Sequence, residues 1–173
     1  MTKTEIHNYE MTDETMEYQG RTLHRIRATR DFSVCVDVYD VSKGQVGGWV
    51  ESEENLDGDA WVAGHARVYG DARVFGNALI MGAAMVFGHA QVSGNAMITG
   101  AAMVFGQAQV SGNAVVGDYA KIFDNARVSD SACVYAAAQM CENSSAVGRA
   151  NVFWKVSGNI QVCSVPEAKI KRR

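Results

Sequence analysis

The chain has 173 residues, a formal net charge of −3, seventeen glycines and one proline. This length suits a single repeat domain with a cap, and the charge offers no electrostatic case for binding nucleic acid. We expect neither a membrane span nor a secretory signal, because there is no apolar run near eighteen residues and no basic-then-apolar amino terminus. The four cysteines form no C-x-x-C pair, so we expect reduced thiols, no bound metal or cofactor, and a cytoplasmic protein.

The chain opens with a polar stretch and then changes character. Residues 1–17 contain five acidic residues and one lysine, which predicts a solvated or loosely docked arm, with a partner-binding segment as the alternative. Residues 18–49 read as capping strands, in which Val34, Val36 and Val38 alternate with other residues as in a half-buried strand. An open repeat end exposes core and unpaired backbone, so we expect this block to close it.

A six-residue repeat dominates the rest of the chain. From Leu56 to Val152 an aliphatic residue returns every six positions, with glycine two residues after it and alanine four residues after it, Ser144 being the exception to the alanines. In A-x-V the alanine and the valine point to the same side of an extended strand, which predicts an inward-facing core. The glycines tolerate the positive φ of a tight corner. These corners are Gly64, Gly70, Gly76, Gly82, Gly88, Gly94, Gly100, Gly106 and Gly112, followed by Asp118, Asp124, Asp130, Ala136 and Glu142.

A longer period predicts the shape of one coil. Residues 82–99 align without a gap on residues 100–117 and match at fourteen of eighteen positions. Eighteen residues are three hexads, so each coil has three sides, and the coils stack about 4.8 Å apart as three parallel sheets. We therefore predict an all-β parallel β-helix, a triangular prism of about six coils over residues 50–162, followed by a basic tail at 163–173.

The V-x-G-x-A-x unit resembles the hexapeptide-repeat proteins, which are left-handed parallel β-helices. The stretch from Tyr18 to Val62 contains R-A-T-R-D-F and G-G-W-V-E-S, followed by G-D-A-W-V, and resembles the start of YdcK-like proteins of bacteria and phages. The resemblance implies a left-handed coil, a homotrimer, and an acyltransferase-like label without an assigned reaction. Hexapeptide acyltransferases typically use a histidine as general base, often at a subunit interface.

The outward residues of the coils sort into three faces, of which two are apolar and one is polar. Contiguous apolar patches usually mark association surfaces, and the corner between the two apolar faces is small, with Ala83 and Ala101. A threefold arrangement covers both apolar faces at once, so we predict a homotrimer. The alternative is a phenylalanine column that folds over the corners of its own coil. The predicted interface residues are Trp61, Leu79, Met81, Met85, Phe87, Met97, Met103, Phe105, Val115 and Phe123.

Catalysis has only weak candidates in this sequence. His65 and His89 occupy corner positions, where each is either a solvated residue or a base at a subunit interface. They are twenty-four residues apart, which places them on different corners, so they do not converge on a zinc ion within one chain. No extra residues interrupt the hexads between Leu56 and Met140 to form a projecting loop.

Two functions of different class follow from these features. The first is a non-enzymatic oligomeric β-helix that acts as a structural or binding module, as a bacterial or phage factor that holds a protein partner or a small ligand between subunits. The alternative is a hexapeptide-repeat acyltransferase with a histidine base at the subunit interface. Binding of acyl-carrier thioesters distinguishes them, because only the acyltransferase requires it.

Overall fold

The computed structural model describes residues 7–163. The described chain begins with two long antiparallel strands, Tyr9–Tyr18 (β1) and Arg21–Ala28 (β2), and a hairpin of Phe32–Val34 (β3) and Tyr39–Val41 (β4). Strand Val46–Val50 (β5) then leads into the coils, and Glu53–Asn55 forms a 3₁₀-helix. Within residues 7–163 no helix is long and apolar enough to cross a membrane.

Three parallel sheets form the sides of a β-solenoid of about six turns, which confirms the predicted fold. We name their outer surfaces the first, second and third face. The first face consists of Trp61–Val62 (β6), Leu79–Ile80 (β9), Met97–Ile98 (β12), Val115–Val116 (β15), Cys133–Val134 (β18) and Asn151–Val152 (β21). The second consists of β5, Arg67–Val68 (β7), Met85–Val86 (β10), Met103–Val104 (β13), Lys121–Ile122 (β16), Gln139–Met140 (β19) and Lys155–Val156 (β22), and β1 and β2 extend its sheet. The third consists of Arg73–Val74 (β8), Gln91–Val92 (β11), Gln109–Val110 (β14), Arg127–Val128 (β17), Ser145–Val147 (β20) and Gln161–Cys163 (β23).

Strand pairing confirms the eighteen-residue coil. Met85 pairs in parallel with Met103, and Met97 pairs in the same way with Val115. Each coil is tied to the next through backbone hydrogen bonds; for example, Met85 N donates to Ala102 O at 2.9 Å. Outward side chains eighteen residues apart therefore lie side by side on one face and form columns along the solenoid.

The core consists of the two predicted inward columns. Every aliphatic and alanine position of the repeat from Leu56 to Val152 is at most 2 % exposed, including Ser144 in the alanine column. Fully burying a valine or leucine contributes roughly 1.5–3 kcal/mol to the free energy of folding relative to leaving it exposed. The aliphatic column is therefore the main source of stability. Ser144 is the weak point, because its buried hydroxyl has no hydrogen-bond partner within the described residues.

The predicted corners all adopt the left-handed conformation. The nine predicted glycines have φ between 65° and 74°. The five residues that replace glycine later in the chain have φ between 56° and 60°. For an L-residue this region costs roughly 1–2 kcal/mol, so the non-glycine corners need compensation.

Three of the non-glycine corners receive that compensation from their own side chains. Each aspartate reaches across to the next coil and accepts a hydrogen bond from the backbone N–H of the corner residue eighteen positions later. The bonds join Asp118 Oδ2 to Ala136 N (2.9 Å), Asp124 Oδ2 to Glu142 N (3.0 Å) and Asp130 Oδ2 to Gly148 N (2.9 Å). The aspartates therefore satisfy corner N–H groups that a glycine would leave to water.

The prediction of a solvated or loosely docked arm is wrong for the part of it that the structure describes. Tyr9–Tyr18 forms β1, which pairs antiparallel with β2 along most of its length. Tyr9 is buried, and its hydroxyl donates to Glu53 O at 3.1 Å and lies 3.2 Å from Leu56 O. The acidic residues of this strand mislead because they are exposed, whereas Tyr9 and Met11 pack against the main core and Met16 and Tyr18 pack around Leu23, Trp49 and Tyr69.

The hairpin also departs from the expected strand. Cys35, Val36 and Asp37 have φ of 54°, 54° and 61°, so the chain turns where alternation predicted an extended run. Val34 is buried as expected, but Val36 and Val38 are 67 % and 65 % exposed. Three consecutive left-handed residues without glycine cost of order 1–3 kcal/mol each, so packing of the hairpin on the solenoid must hold this turn in place.

The last coil is shorter than the others. Gln139 pairs with Lys155 and Ser145 with Gln161, which are steps of sixteen residues. The two missing residues fall between β21 and β22, where Trp154 stands six residues after the corner Gly148. Of the predicted basic tail at 163–173, all but Cys163 lies outside the described residues.

Candidate functional site

The second face carries a continuous aromatic ladder, formed by Tyr69, Phe87, Phe105 and Phe123. Successive ring centroids are 5.0, 5.0 and 5.1 Å apart, and the rings are parallel to within 3°. The three phenylalanines are half-buried because each ring covers part of its neighbour. Part of the apolar area of the column is thus covered within the chain, and the rest remains at the surface beside half-buried Met85 and Met103.

Strand β1 covers the amino-terminal end of this ladder. The Tyr18 ring meets Tyr69 edge to face at 5.7 Å, and its hydroxyl lies 3.2 Å from Met85 Sδ. The Arg67 guanidinium lies 4.7 Å from the centre of the Tyr18 ring. Burial raises the pKa of Tyr69, Tyr18 raises it further, and the nearby Arg21 and Arg67 oppose the shift. The ladder therefore becomes available to another molecule only from Phe87 onward.

The hairpin covers the first two coils of the first face. Trp61 and Leu79, which were predicted at the interface, are fully buried within the chain. Phe32 meets the Trp61 ring edge to face at 5.7 Å, and the buried Cys35 thiol approaches Asn77 O and Asn95 O, each at 3.5 Å. Burial raises the pKa of Cys35. An interface position is therefore the wrong assignment for Trp61 and Leu79, because β3 and β4 already occupy the surface above them.

The later coils of the first face stay accessible. Met81 and Met97 pack partly against the core, and Val115 is half-buried. Tyr119, at the corner between the first and second faces, is 71 % exposed. Sequence analysis missed Tyr119, although it breaks a corner column that otherwise carries alanine in adjacent coils. Tyr135 follows β18 of the same face. Its hydrogen bond to Cys133 raises its pKa to about 12, and burial contributes to this shift.

The third face is polar and regular, as predicted. Gln91, Gln109 and Arg127 are exposed along its centre. At the corner it shares with the first face, the Asn77 amide donates to Asn95 at 3.3 Å, and Asn95 donates to Asn113 at 3.1 Å. In this ladder the asparagine side chains of successive coils hydrogen-bond to one another.

The two candidate histidines lie apart, in different settings. His65 is exposed at the corner between the first and second faces. His89 lies at the corner between the second and third faces, with Nδ1 3.3 Å from Asp71 Oδ2, and both side chains are largely exposed. A groove of about 240 Å³ beside His89 is lined by Gln91, Gln107, Gln109, Asn125 and Arg127. Among the described residues no cluster of histidine, cysteine and acidic side chains has the arrangement of a metal site.

Stacked parallel strands, paired at eighteen-residue steps up to the last coil, define this chain as a β-solenoid protein. Residues 66–82 and 90–106 match a family model described as the YdcK beta solenoid repeat. These two segments of the solenoid are therefore similar to YdcK-type repeats, the family that the sequence resembles. Comparison with curated proteins finds no match.

Proposed function

We propose that this protein is a self-associating β-solenoid, a homotrimer that acts as a structural or binding module rather than as an enzyme. The observation that carries the proposal is the aromatic ladder. Phe87, Phe105 and Phe123 run unbroken along the second face, beside half-buried Met85 and Met103, and no segment of the described chain shields the ladder beyond Tyr18. Continuous apolar columns of this kind usually mark association surfaces.

Threefold symmetry suits the geometry because two partly apolar faces meet at one corner of small residues. Gly82, Ala83 and Gly100 are exposed at that corner and allow close approach of a neighbouring backbone. Each chain can then pack the ladder of its second face against the first face of the next chain, and the ring closes. After the corrections above, the first-face contact consists of Met97, Val115 and Tyr119 rather than Trp61 and Leu79.

The proposed role is to hold a protein partner or a small ligand between subunits, in a bacterial or phage setting. A trimer of parallel solenoids presents its polar third faces outward, so these faces remain available after assembly. The cysteines within the described residues, Cys35, Cys133, Cys141 and Cys163, are unpaired, which supports a reducing compartment such as the cytoplasm.

Light scattering of the wild type and of Met97→Glu combined with Met103→Glu tests the assembly. We expect a wild-type mass that is a multiple of three chains, and a double variant that loses threefold association because two desolvated carboxylates oppose it. Gln91→Glu combined with Gln109→Glu is the matched control, since it adds the same charge at outward positions of the third face and keeps the wild-type mass. A monomeric wild type, or an unchanged mass in the methionine variant, contradicts the proposal.

One observation favours the acyltransferase as a second candidate. The Asp71 carboxylate beside His89 Nδ1 can orient the imidazole and leave Nε2 free to act as a base, whereas His65 has no acidic partner among the described residues. Calorimetry with an acyl-carrier thioester tests it. Binding that is lost in His89→Ala and kept in His65→Ala supports this candidate, and the absence of binding by the wild type removes it.

A further inference from the structure

The two ends of the solenoid differ in how they are closed. At the amino-terminal end, β1 and β2 continue the sheet of the second face and the hairpin packs over Trp61. The Asn55 amide fills the same end, donating to Gly70 O and Ala72 O at 2.9 Å each. At the carboxy-terminal end, β21, β22 and β23 are each the last strand of a sheet, so within residues 7–163 their outer edges are unpaired.

The last coil, at this open end, carries three exposed large apolar side chains. Phe153 and Trp154 are each 54 % exposed, and Ile160 is 56 % exposed. All three belong to the shortened last coil. The Phe153 ring stacks on Tyr135 of the coil before it, with ring centroids 6.1 Å apart. A surface that combines unpaired strand edges with exposed aromatic rings is a site of β-strand association.

We propose that the carboxy-terminal end pairs with the same end of a second copy, tail to tail about a twofold axis. Three strand edges at the sides of a triangle can all be paired at once only by a surface with the same triangular outline. The carboxy-terminal end of another copy has that outline, with its strands antiparallel across the junction. The amino-terminal end is closed by the cap, so head-to-tail stacking into fibres is blocked and the tail-to-tail contact closes on itself.

The end contact of a single chain is too small to be stable by itself. This inference therefore rests on the proposed trimer, which brings three such contacts together. Three side chains of this kind, about half exposed, offer roughly 300 Å² of apolar surface per copy. One pair of ends therefore buries roughly 600 Å² of such surface, below the roughly 1,200 Å² of a stable interface. In a trimer with parallel axes the three open ends lie on the same side. Two trimers joined there make three such contacts together, which reaches the standard size.

The mass of the assembly tests this inference and separates it from the trimer itself. We expect six chains for the wild type and a halving of the mass for Phe153→Lys combined with Trp154→Lys, since each of these side chains is 54 % exposed in a single chain. Phe75→Lys is the control, since Phe75 is an exposed aromatic residue of the third face, and it keeps the wild-type mass. If the wild type is a trimer and the Phe153→Lys, Trp154→Lys variant has the same mass, the end contact is wrong and the proposed trimer stands. If the wild type is a dimer and the same variant is a monomer, the proposed trimer is wrong and the end contact stands.

Tryptophan fluorescence provides a second readout. Trp49 and Trp61 are 9 % and 0 % exposed, so among the three tryptophans Trp154 is the one that iodide can reach in a single chain. Iodide quenching is expected to decrease as the protein concentration rises through association, and the Trp154→Phe variant loses this dependence. Strong quenching of Trp154 that does not change with protein concentration means that the end stays exposed to solvent, and overturns the inference.

Discussion

The solenoid reaches the same corner conformation by different means in its two halves. From Gly64 to Gly112 every corner is glycine, whereas from Asp118 to Glu142 none is, and φ remains between 56° and 74° throughout. In the first half glycine adopts this conformation without steric cost. In the second half the aspartates offset their strain with a hydrogen bond to the next coil. The repeat thus requires a backbone conformation rather than a particular residue.

The two halves also differ in what protects them. The start of the first half lies under the cap, which buries Trp61 and Leu79 and shields the start of the aromatic ladder. The second half has accessible faces and an open end. Apolar side chains at outward positions are therefore core residues beneath the cap, as Trp61 and Leu79 are, and candidate contacts beyond it, from Met85 onward. Surface position in a repeat protein follows from what packs over it as much as from the repeat.

The largest expected effect is the loss of the cap. Deleting residues 1–48 exposes Trp61, Leu79 and the outer edge of β5, which leaves the first half as open as the second. We expect soluble aggregates or inclusion bodies rather than the wild-type assembly. Size-exclusion chromatography with light scattering measures this outcome. A truncated protein that keeps the original mass shows that the amino-terminal strands do not cap the solenoid.

The next effect separates the corners of the two halves. A Cβ at Gly94 would lie 2.9 Å from Gly112 O, and one at Gly112 would lie 2.8 Å from Asp130 O. Valine at either site combines this contact with a positive φ, so we expect a loss of stability on the order of 1–3 kcal/mol. Ala136→Val should cost less, because that corner already holds a Cβ. Equal midpoint shifts for all three variants in chemical denaturation would contradict the corner assignment.

A pH-dependent effect is expected within the cap. Burial, together with the nearby Glu53 and Asp57, raises the pKa of Tyr9 well above its ordinary value. The folded chain then holds the phenol proton more tightly than the unfolded chain does. Its contribution to stability is fully present below about pH 10 and is lost as the pH rises beyond it.

Replacing Tyr9 with phenylalanine tests this. At neutral pH the variant loses about 1–2 kcal/mol, because the hydroxyl no longer bonds to Glu53 O and Leu56 O. Above about pH 10 its stability should fall less steeply than that of the wild type. Denaturation midpoints measured from pH 7 to pH 11 show the difference. Parallel profiles for the two proteins would mean that Tyr9 is not the responsible group.

The smallest expected effect concerns the aspartate corners. Asp124→Ala removes the bond to Glu142 N and keeps the left-handed strain, so we expect a loss of about 1 kcal/mol. Asp124→Gly should cost less, because glycine relieves the strain that the bond offsets. Glu142→Ala is the control, since the Glu142 carboxylate makes no hydrogen bond to a corner N–H among the described residues. If alanine and glycine at position 124 shift the midpoint equally, the compensation argument fails.

Much of this protein follows from the sequence alone. The inward columns and the corners depend only on alternation along a strand and on the allowed φ of single residues, which are local properties. The inward columns and the corners can therefore be predicted from the series between Leu56 and Glu142 without any knowledge of the fold. The replacement of glycine by Asp118, Asp124 and Asp130 was also visible, although the bonds that explain it were not. The short last coil left a signal as well, in Trp154 at a position where the period calls for a corner residue.

What only the tertiary structure decided is which outward residues are exposed. Alternation places Trp61 and Leu79 on the outside of their strands, and it cannot tell that β3 and β4, twenty or more residues earlier in the chain, lie over them. The acidic composition before Tyr18 masks a strand, because the charges of β1 face solvent while Tyr9 packs inward. Val36 and Val38 fit the alternation of a strand, but the chain turns at Cys35, Val36 and Asp37, which all have positive φ. Packing of the hairpin on the solenoid holds this turn in place. In each case the burial of a residue depends on a contact between the capping strands and the solenoid. The capping strands do not repeat, so the period of the sequence cannot predict that contact.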